Sequence, residues 1–338
     1  MDLRHSASLR RPAAGRVNLP GTLRLSFLCA VVSALVMGCT PAPSPAEPNP
    51  PVAGTSCEVR LRADLPMELV DYSLLVGAVI DNRPVRLLVD TGWDGDLGVG
   101  PALVQKLGLK PRSKPTWSYR TAASEGLSER VRVGALEVGD IRKEKVVATV
   151  ATPPVPDLAG RTVDGVLGAD FLDEFDVEID PGAKRLRLHE VQGCTSIPDP
   201  LPAPYGTVNL QRGVGSHLLM PVRIEGHLLL GLVDTGTSFT SIFTSSAERL
   251  GRSASDLRRG PSYVAHTPNG ETVPFRVHQF DLVQIGPRQA RNADVPVIDS
   301  RWAPADIIVG ADFLAAQRTW ISYATDKLFM AEQASTPG

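Results

Sequence analysis

Two apolar runs in the chain end on an aspartate where a strand should simply be buried. They are "VRLLVDTGWDGDLGV" (85–99) and "LLLGLVDTGTSFTSI" (228–242), with Asp90 and Asp234 set 144 positions apart. A carboxylate at the end of a buried strand loses water, which disfavours its charged form and raises its pKa. Each is followed by a threonine, Thr91 or Thr235, whose hydroxyl is able to bond across to a neighbouring loop. Next comes a glycine, Gly92 or Gly236, free to take positive φ and let the loop fold tightly with its amides near the carboxylate. One Asp-Thr-Gly alone is an ordinary capped turn. Two brought face to face make a different object, because close carboxyl groups share a proton over a wide pH range. One member then takes a proton from water while the other protonates a carbonyl oxygen, which suits addition of water to an amide with neither metal, cofactor nor covalent intermediate. Such a pair titrates as a unit, so neither residue is assigned as the base in the free protein.

The elements that would position the two aspartates are themselves duplicated. "LLVGAVIDNRPVRLLVDTG" (74–92) aligns without gaps on "LLMPVRIEGHLLLGLVDTG" (218–236), each reading as a strand, a polar turn and a second strand. A short helical pattern closing on glycine follows each, "ALVQKLG" and "SAERLG". Polar hairpins come next at 119–133 and 263–277, the second with a tight-turn signal at Asn269-Gly270. "DGVLGADFL" (164–172) and "DIIVGADFL" (306–314) then close the repeats. Asp170 and Asp312, each one residue before a phenylalanine at a helix start, read as helix caps.

Taken together, these residues resemble an aspartic protease, specifically the retropepsin-like group, here duplicated in one chain over roughly 58–332. "LLVDTG" and "GLVDTG" resemble the catalytic loops; "VLG" (166–168) and "IVG" (308–310) resemble the apolar-apolar-Gly element beneath them. "DTGTS" at 234–238 is close to the pepsin-like second lobe. The resemblance implies a mostly β, bilobal fold of two barrel-like lobes about a pseudo-twofold axis, hydrolysing peptide bonds through Asp90 and Asp234. It implies that Thr91 and Thr235 interlock the loops, and that Gly92 and Gly236 mark close backbone approach. Hairpins bearing Ala122, Ala123 and Ser124, and His266, Asn269 and Gly270, fall where flaps close over an extended peptide. Because one chain holds both halves, a monomer is expected rather than a homodimer contributing one aspartate each.

One position departs from the pattern. The residue after the triplet is normally small, as Thr237 is, but the first copy has Trp93. The indole either fills part of a substrate pocket or points away on a loop rebuilt by Gly95 and Gly98. A reshaped specificity pocket and a degenerating site both remain open, the second giving a non-catalytic peptide-binding module. Six histidines scattered singly show no metal-ligand spacing, and no Gly-x-Ser-x-Gly elbow or phosphate loop is present.

The remaining sequence sets the context. With 338 residues, 43% apolar and 21% charged, the chain has room for two ordinary domains, and a formal charge of −2 gives no reason to expect nucleic acid as a partner. Residues 1–38 read as a signal segment, with five arginines followed by "FLCAVVSALVM". Its end, "LVMGC", resembles a lipobox with Cys39 lipidated, although Met37 is bulkier than usual and an ordinary cleaved signal is the alternative. Residues 39–56 form a Pro-rich tether, which would leave the domain exported and held at a membrane face by a lipid anchor. The expected organisation continues with a first lobe at 57–192, a linker at 193–206, a second lobe at 207–332 and a tail at 333–338. Cys57 and Cys194 bracket the first lobe and form either a disulfide tying its ends or two unrelated thiols.

Overall fold

The computed structural model describes residues 57–331 apart from 112–116, 121–124, 152–157, 159, 198, 203, 260, 267–271 and 300–304. The signal segment, Cys39, the tether and the tail lie outside the described residues. So do the hairpin-tip residues Ala122, Ala123, Ser124, Asn269 and Gly270; of His266 only the strand backbone is described.

The second lobe is a closed six-stranded barrel. Leu218–Ile224 pairs with His227–Val233, then follow Ile307–Val309, Ser241–Phe243, Arg288–Ile298 and Thr272–Ile285, which returns to the first strand. The first lobe repeats the order with Ser73–Ile80, Arg83–Asp90, Gly165–Gly168, Leu97–Val99, Val147–Val150 and Arg130–Arg132. Its long hairpin is broken in two, and the half Ala135–Val138 closes on Ser73–Ile80. The break sits where Lys145 takes φ 56° and Gly134 passes so near Asp81 that a Cβ would lie 2.7 Å from its Oδ1. The expected tight turns are present, with positive φ at Asp81 and Asn82 and at Glu225 and Gly226.

The strand Arg83–Asp90 shows how the sequence places its aspartate. Arg83 and Pro84 are exposed, Val85 is buried and Arg86 half-buried, while Leu87, Leu88, Val89 and Asp90 are all buried. The change to a continuous apolar run marks entry into an interior covered on both faces. Leu87 and Val89 point into the barrel core, so Leu88 and Asp90 share the other face. In the second lobe His227–Val233 runs the same way, and the Asp234 N–H continues the ladder to the Val309 carbonyl (3.0 Å).

A further sheet joins the lobes, in the order Tyr205–Asn209, Lys327–Ala331, Thr319–Ser322, Asp176–Asp180, Arg185–Gln192, Glu58–Val70. Where the halves meet, Val177 faces Ile321, Glu178 faces Trp320 and Ile179 faces Thr319. These are repeat-equivalent residues in reversed order, so the pseudo-twofold axis passes between Glu178 and Trp320. Glu178 is buried and holds Arg187 (2.9 Å), Arg318 (2.7 Å) and His189 (3.0 Å), while the Trp320 indole N–H donates to Asp176 (2.8 Å). Burial pushes the Glu178 carboxyl up, but His189 and Arg318 outweigh it and hold the group below its usual value.

Cys57 and Cys194 are bonded, with Cα atoms 4.4 Å apart, at the outer end of this sheet. A disulfide persists in an oxidising compartment and points away from the reducing cytoplasm. The bond closes a loop spanning 137 positions, a length at which a native disulfide stabilises by about 2–5 kcal/mol. Cys57→Ser with Cys194→Ser is therefore expected to lower the urea midpoint by that equivalent, and reduction of the wild type should reproduce the loss.

Candidate active site

The strand ends bring Asp90 and Asp234 together at the centre of the molecule, where they are 4% and 8% exposed and near enough for each to shift the other's titration. The loops carrying them interlock through four bonds. Thr91 Oγ1 donates to the Val233 carbonyl (2.8 Å) and accepts from the Thr235 N–H (3.1 Å). Thr235 Oγ1 donates to the Val89 carbonyl (2.8 Å) and accepts from the Thr91 N–H (3.1 Å). Both threonines are fully buried, so each hydroxyl must be satisfied, and the reciprocal pattern does this with no atom left over.

The glycines provide the close backbone approach that the resemblance implies, but not through the positive φ that a tight turn suggests. Neither Gly92 nor Gly236 takes positive φ. A Cβ on Gly92 would lie 2.7 Å from Asp234 Cγ, and one on Gly236 2.0 Å from Asp90 Cγ. Each glycine therefore clears room for the carboxyl of the opposite lobe.

The two carboxyls are not equivalent. Asp234 accepts from the N–H groups of Gly236 (2.9 Å) and Thr237 (3.0 Å) and from the Thr237 hydroxyl (2.8 Å). Asp90 accepts from Gly92 N–H (2.9 Å), with a weaker contribution from Trp93 N–H, and an indole stands where a hydroxyl would have been. Burial pushes both groups up; at Asp90 the neighbouring Asp234 charge adds to it, whereas at Asp234 the Thr237 and Gly236 donors oppose it. Asp90 lies well above the ordinary carboxylate range and Asp234 is raised as well, so the two titrate as a pair.

The helices Ala169–Leu172 and Ala311–Leu314 hold the loops from behind. Ala169 N–H donates to the Trp93 carbonyl (2.9 Å) and Ala311 N–H to the Thr237 carbonyl (2.8 Å). Asp170 and Asp312 are not the caps that their position in the sequence suggests. The N-caps are Gly168 and Gly310, and the aspartates sit in the first turn, where they reach outward. Asp312 accepts from the Thr240 N–H (2.8 Å) and hydroxyl (2.7 Å), and Asp170 from the Ser216 hydroxyl (2.8 Å) of the other lobe.

The loops also differ across the axis. His217 Nε2 stands 3.2 Å from Asp94 Oδ1 across the lobe boundary, out of line for a hydrogen bond. On the opposite side Ser73 meets Ser238 (3.5 Å), and Tyr72 lays its ring edge-on to Phe239 (5.7 Å). These cross-boundary contacts were hidden in the sequence, since nothing in Ser216, His217 or Tyr72 signals a partner in the other repeat. Among the described residues no group of three or more His, Cys, Asp or Glu is arranged to hold a metal, and no helix is long and apolar enough to cross a membrane.

The family model for aspartyl proteases matches residues 76–171 and again 220–313, more than half of the chain. The chain belongs to the aspartyl protease family. Both matched segments contain the strand, Asp-Thr-Gly loop and closing helix described above. A solved retropepsin-like aspartic protease from Rickettsia conorii is similar at 24% identity, over 40% of this chain and 95% of that one, with a TM-score of 0.30. No similar protein is found among curated proteins.

Burial has a measurable consequence at Asp90. Its folded pKa lies above the unfolded value of 3.8. The group's contribution to stability is thus complete below that value and is lost as pH rises through the folded pKa. Asp90→Asn keeps the shape without the charge and should gain stability over the wild type as pH rises above the unfolded value of 3.8 and through the raised folded one. Urea unfolding of both proteins across that range measures it; a constant difference would contradict a buried, coupled pair.

Proposed function

We propose that this aspartyl protease family member is an endopeptidase in which water, held between Asp90 and Asp234, attacks the peptide carbonyl. The reading is carried by one observation, the buried, mutually coupled pair of carboxyls on interlocked loops. Asp234, the better-solvated carboxylate by hydrogen-bond count, takes a proton as water oxygen bonds to the carbonyl carbon. Asp90 gives its proton to the carbonyl oxygen, leaving a neutral gem-diol. Transfer of a proton to the amide nitrogen then allows the C–N bond to break, releasing an acid and an amine. Thr91 and Thr235 keep the two carboxyls in place, and Gly92 and Gly236 permit their approach. The hairpins Trp117–Arg120 with Glu125–Ser128 and Tyr263–His266 with Thr272–Ile285 are positioned in the chain as flaps that would bind an extended peptide by main-chain bonds. The substrate is a peptide or protein, the working unit a monomer, and the metal and cofactor requirement none.

A second reading is a peptide-binding module without catalysis, favoured by the bulk of Trp93 beside Asp90. Cleavage of a peptide mixture in mildly acidic buffer separates the two. Activity lost by at least about a thousandfold in both Asp90→Asn and Asp234→Asn supports the endopeptidase; a wild type that binds peptides but cleaves none supports the module. Activity surviving in Asp90→Asn would defeat the paired mechanism.

The export signal and the Cys39 lipidation belong to the same proposal, supported by the charged-then-apolar leader, the "LVMGC" sequence and the disulfide. Expressed in a bacterium, the full chain should partition with membranes, and Cys39→Ala should release it to the soluble exported fraction. Equal partitioning of the two would leave an ordinary signal as the better reading.

A further inference from the structure

Trp93 is placed to select substrates, an inference that rests on the endopeptidase reading above. Four strands of the first lobe bring Leu75, Leu88, Val166 and Gly98 into one row: Leu75 faces Leu88, Leu88 faces Val166, and Val166 faces Gly98. Leu88 lies two residues before Asp90, so the row occupies the sheet face that carries the Asp90 carboxyl. The Trp93 indole packs against this row in one apolar cluster with Val70, Ala151 and Val163. Its Nε1 is buried and meets no acceptor among the described residues.

The floor beneath the ring is cut to receive it. A Cβ on Gly98 would lie 2.9 Å from the indole Cζ2 and 3.1 Å from Cε2, ahead of any other atom. In the second lobe the matching row is Leu219, Leu232, Ile308 and Ser241, so a serine stands where the first lobe has Gly98. There Thr237 replaces the tryptophan and turns its hydroxyl to Asp234. A bulky residue acquired by decay would collide with an unmodified floor. Here the large residue and the missing side chain beneath it occur together, in one lobe only.

An extended peptide crossing the carboxyl pair sends alternate side chains toward opposite walls. One position flanking the scissile bond therefore meets the row beside Asp90, and there the indole already occupies the apolar space. We infer that Trp93 restricts this one substrate position to glycine, alanine or serine, making the protein selective for peptides with a small residue beside the cleaved bond.

Cleavage profiles on a peptide library randomised around one bond test this in the full-length protein, with Trp93→Ala and Trp93→Thr beside the wild type. In both variants one position should widen to Leu and Phe, with kcat/KM for a Leu-bearing peptide rising roughly tenfold or more, while preferences elsewhere stay as they were. Gly98→Ala should lower kcat/KM on the best wild-type peptide by pressing the ring upward, and adding Trp93→Ala should relieve that loss. A wild type that cleaves but shares an unchanged profile with both variants overturns the inference and leaves the endopeptidase intact. If neither wild type nor Trp93→Ala cleaves anything, the endopeptidase reading falls and takes the inference with it. Cleavage appearing only once the indole is removed overturns the inference, because the wild type then selects no substrate, and favours the module reading.

Discussion

Two carboxyl groups held side by side away from water repel one another and resist ionisation, and everything near the centre of this molecule exists to keep them there. The repulsion is tolerable because one proton is shared, and it is contained because the loops are locked across the lobe boundary by Thr91 and Thr235. Each lock joins a threonine hydroxyl to main-chain groups of the other lobe, so it depends on backbone position as much as on the hydroxyl itself. That is why the strands beneath must be rigid, and why each is buried on both faces as it reaches its aspartate. Barrel, closing helix and joining sheet are successive layers of support for the same few ångströms.

The symmetry of the support is not carried into the chemistry. Thr237 gives Asp234 a hydroxyl and Trp93 gives Asp90 none, so the two carboxyls stand in unequal hydrogen-bond surroundings although burial raises both. The same residue difference alters the apolar packing beside Asp90, where the indole rests on Leu75, Leu88 and Val166.

Much of this was legible in the sequence, and for identifiable reasons. Apolar runs ending on Asp90 and Asp234, glycine-bounded turns and the repeated closing segments are signals within each copy, and they located both strands and the closing helices. Long-range relations were less accessible. The need for glycine at 92 and 236 comes from a carboxyl more than a hundred residues away, so a local reading assigned it to backbone freedom instead. Asp170 and Asp312 look like caps because the following residues are helical, yet their hydrogen-bond partners lie on other loops. Gly98 was visible only as a flexible loop residue, since its relation to Trp93 appears once Leu97–Val99 lies beside Gly165–Gly168. The joining sheet had no signature, because its central pairing is between strands from different repeats.

That central pairing bears on how the duplicated chain is committed to itself. Strand Asp176–Asp180 meets its own counterpart across the axis, with Glu178 opposite Trp320. Were two first lobes to associate in the same register, Glu178 would face Glu178, and a pair of buried acids would have to share the cations of their own halves without Arg318. Two second lobes would set Trp320 against Trp320 and leave each indole N–H without Asp176. Only unlike halves satisfy both residues. The axis therefore favours pairing a first lobe with a second lobe over pairing two lobes of the same kind.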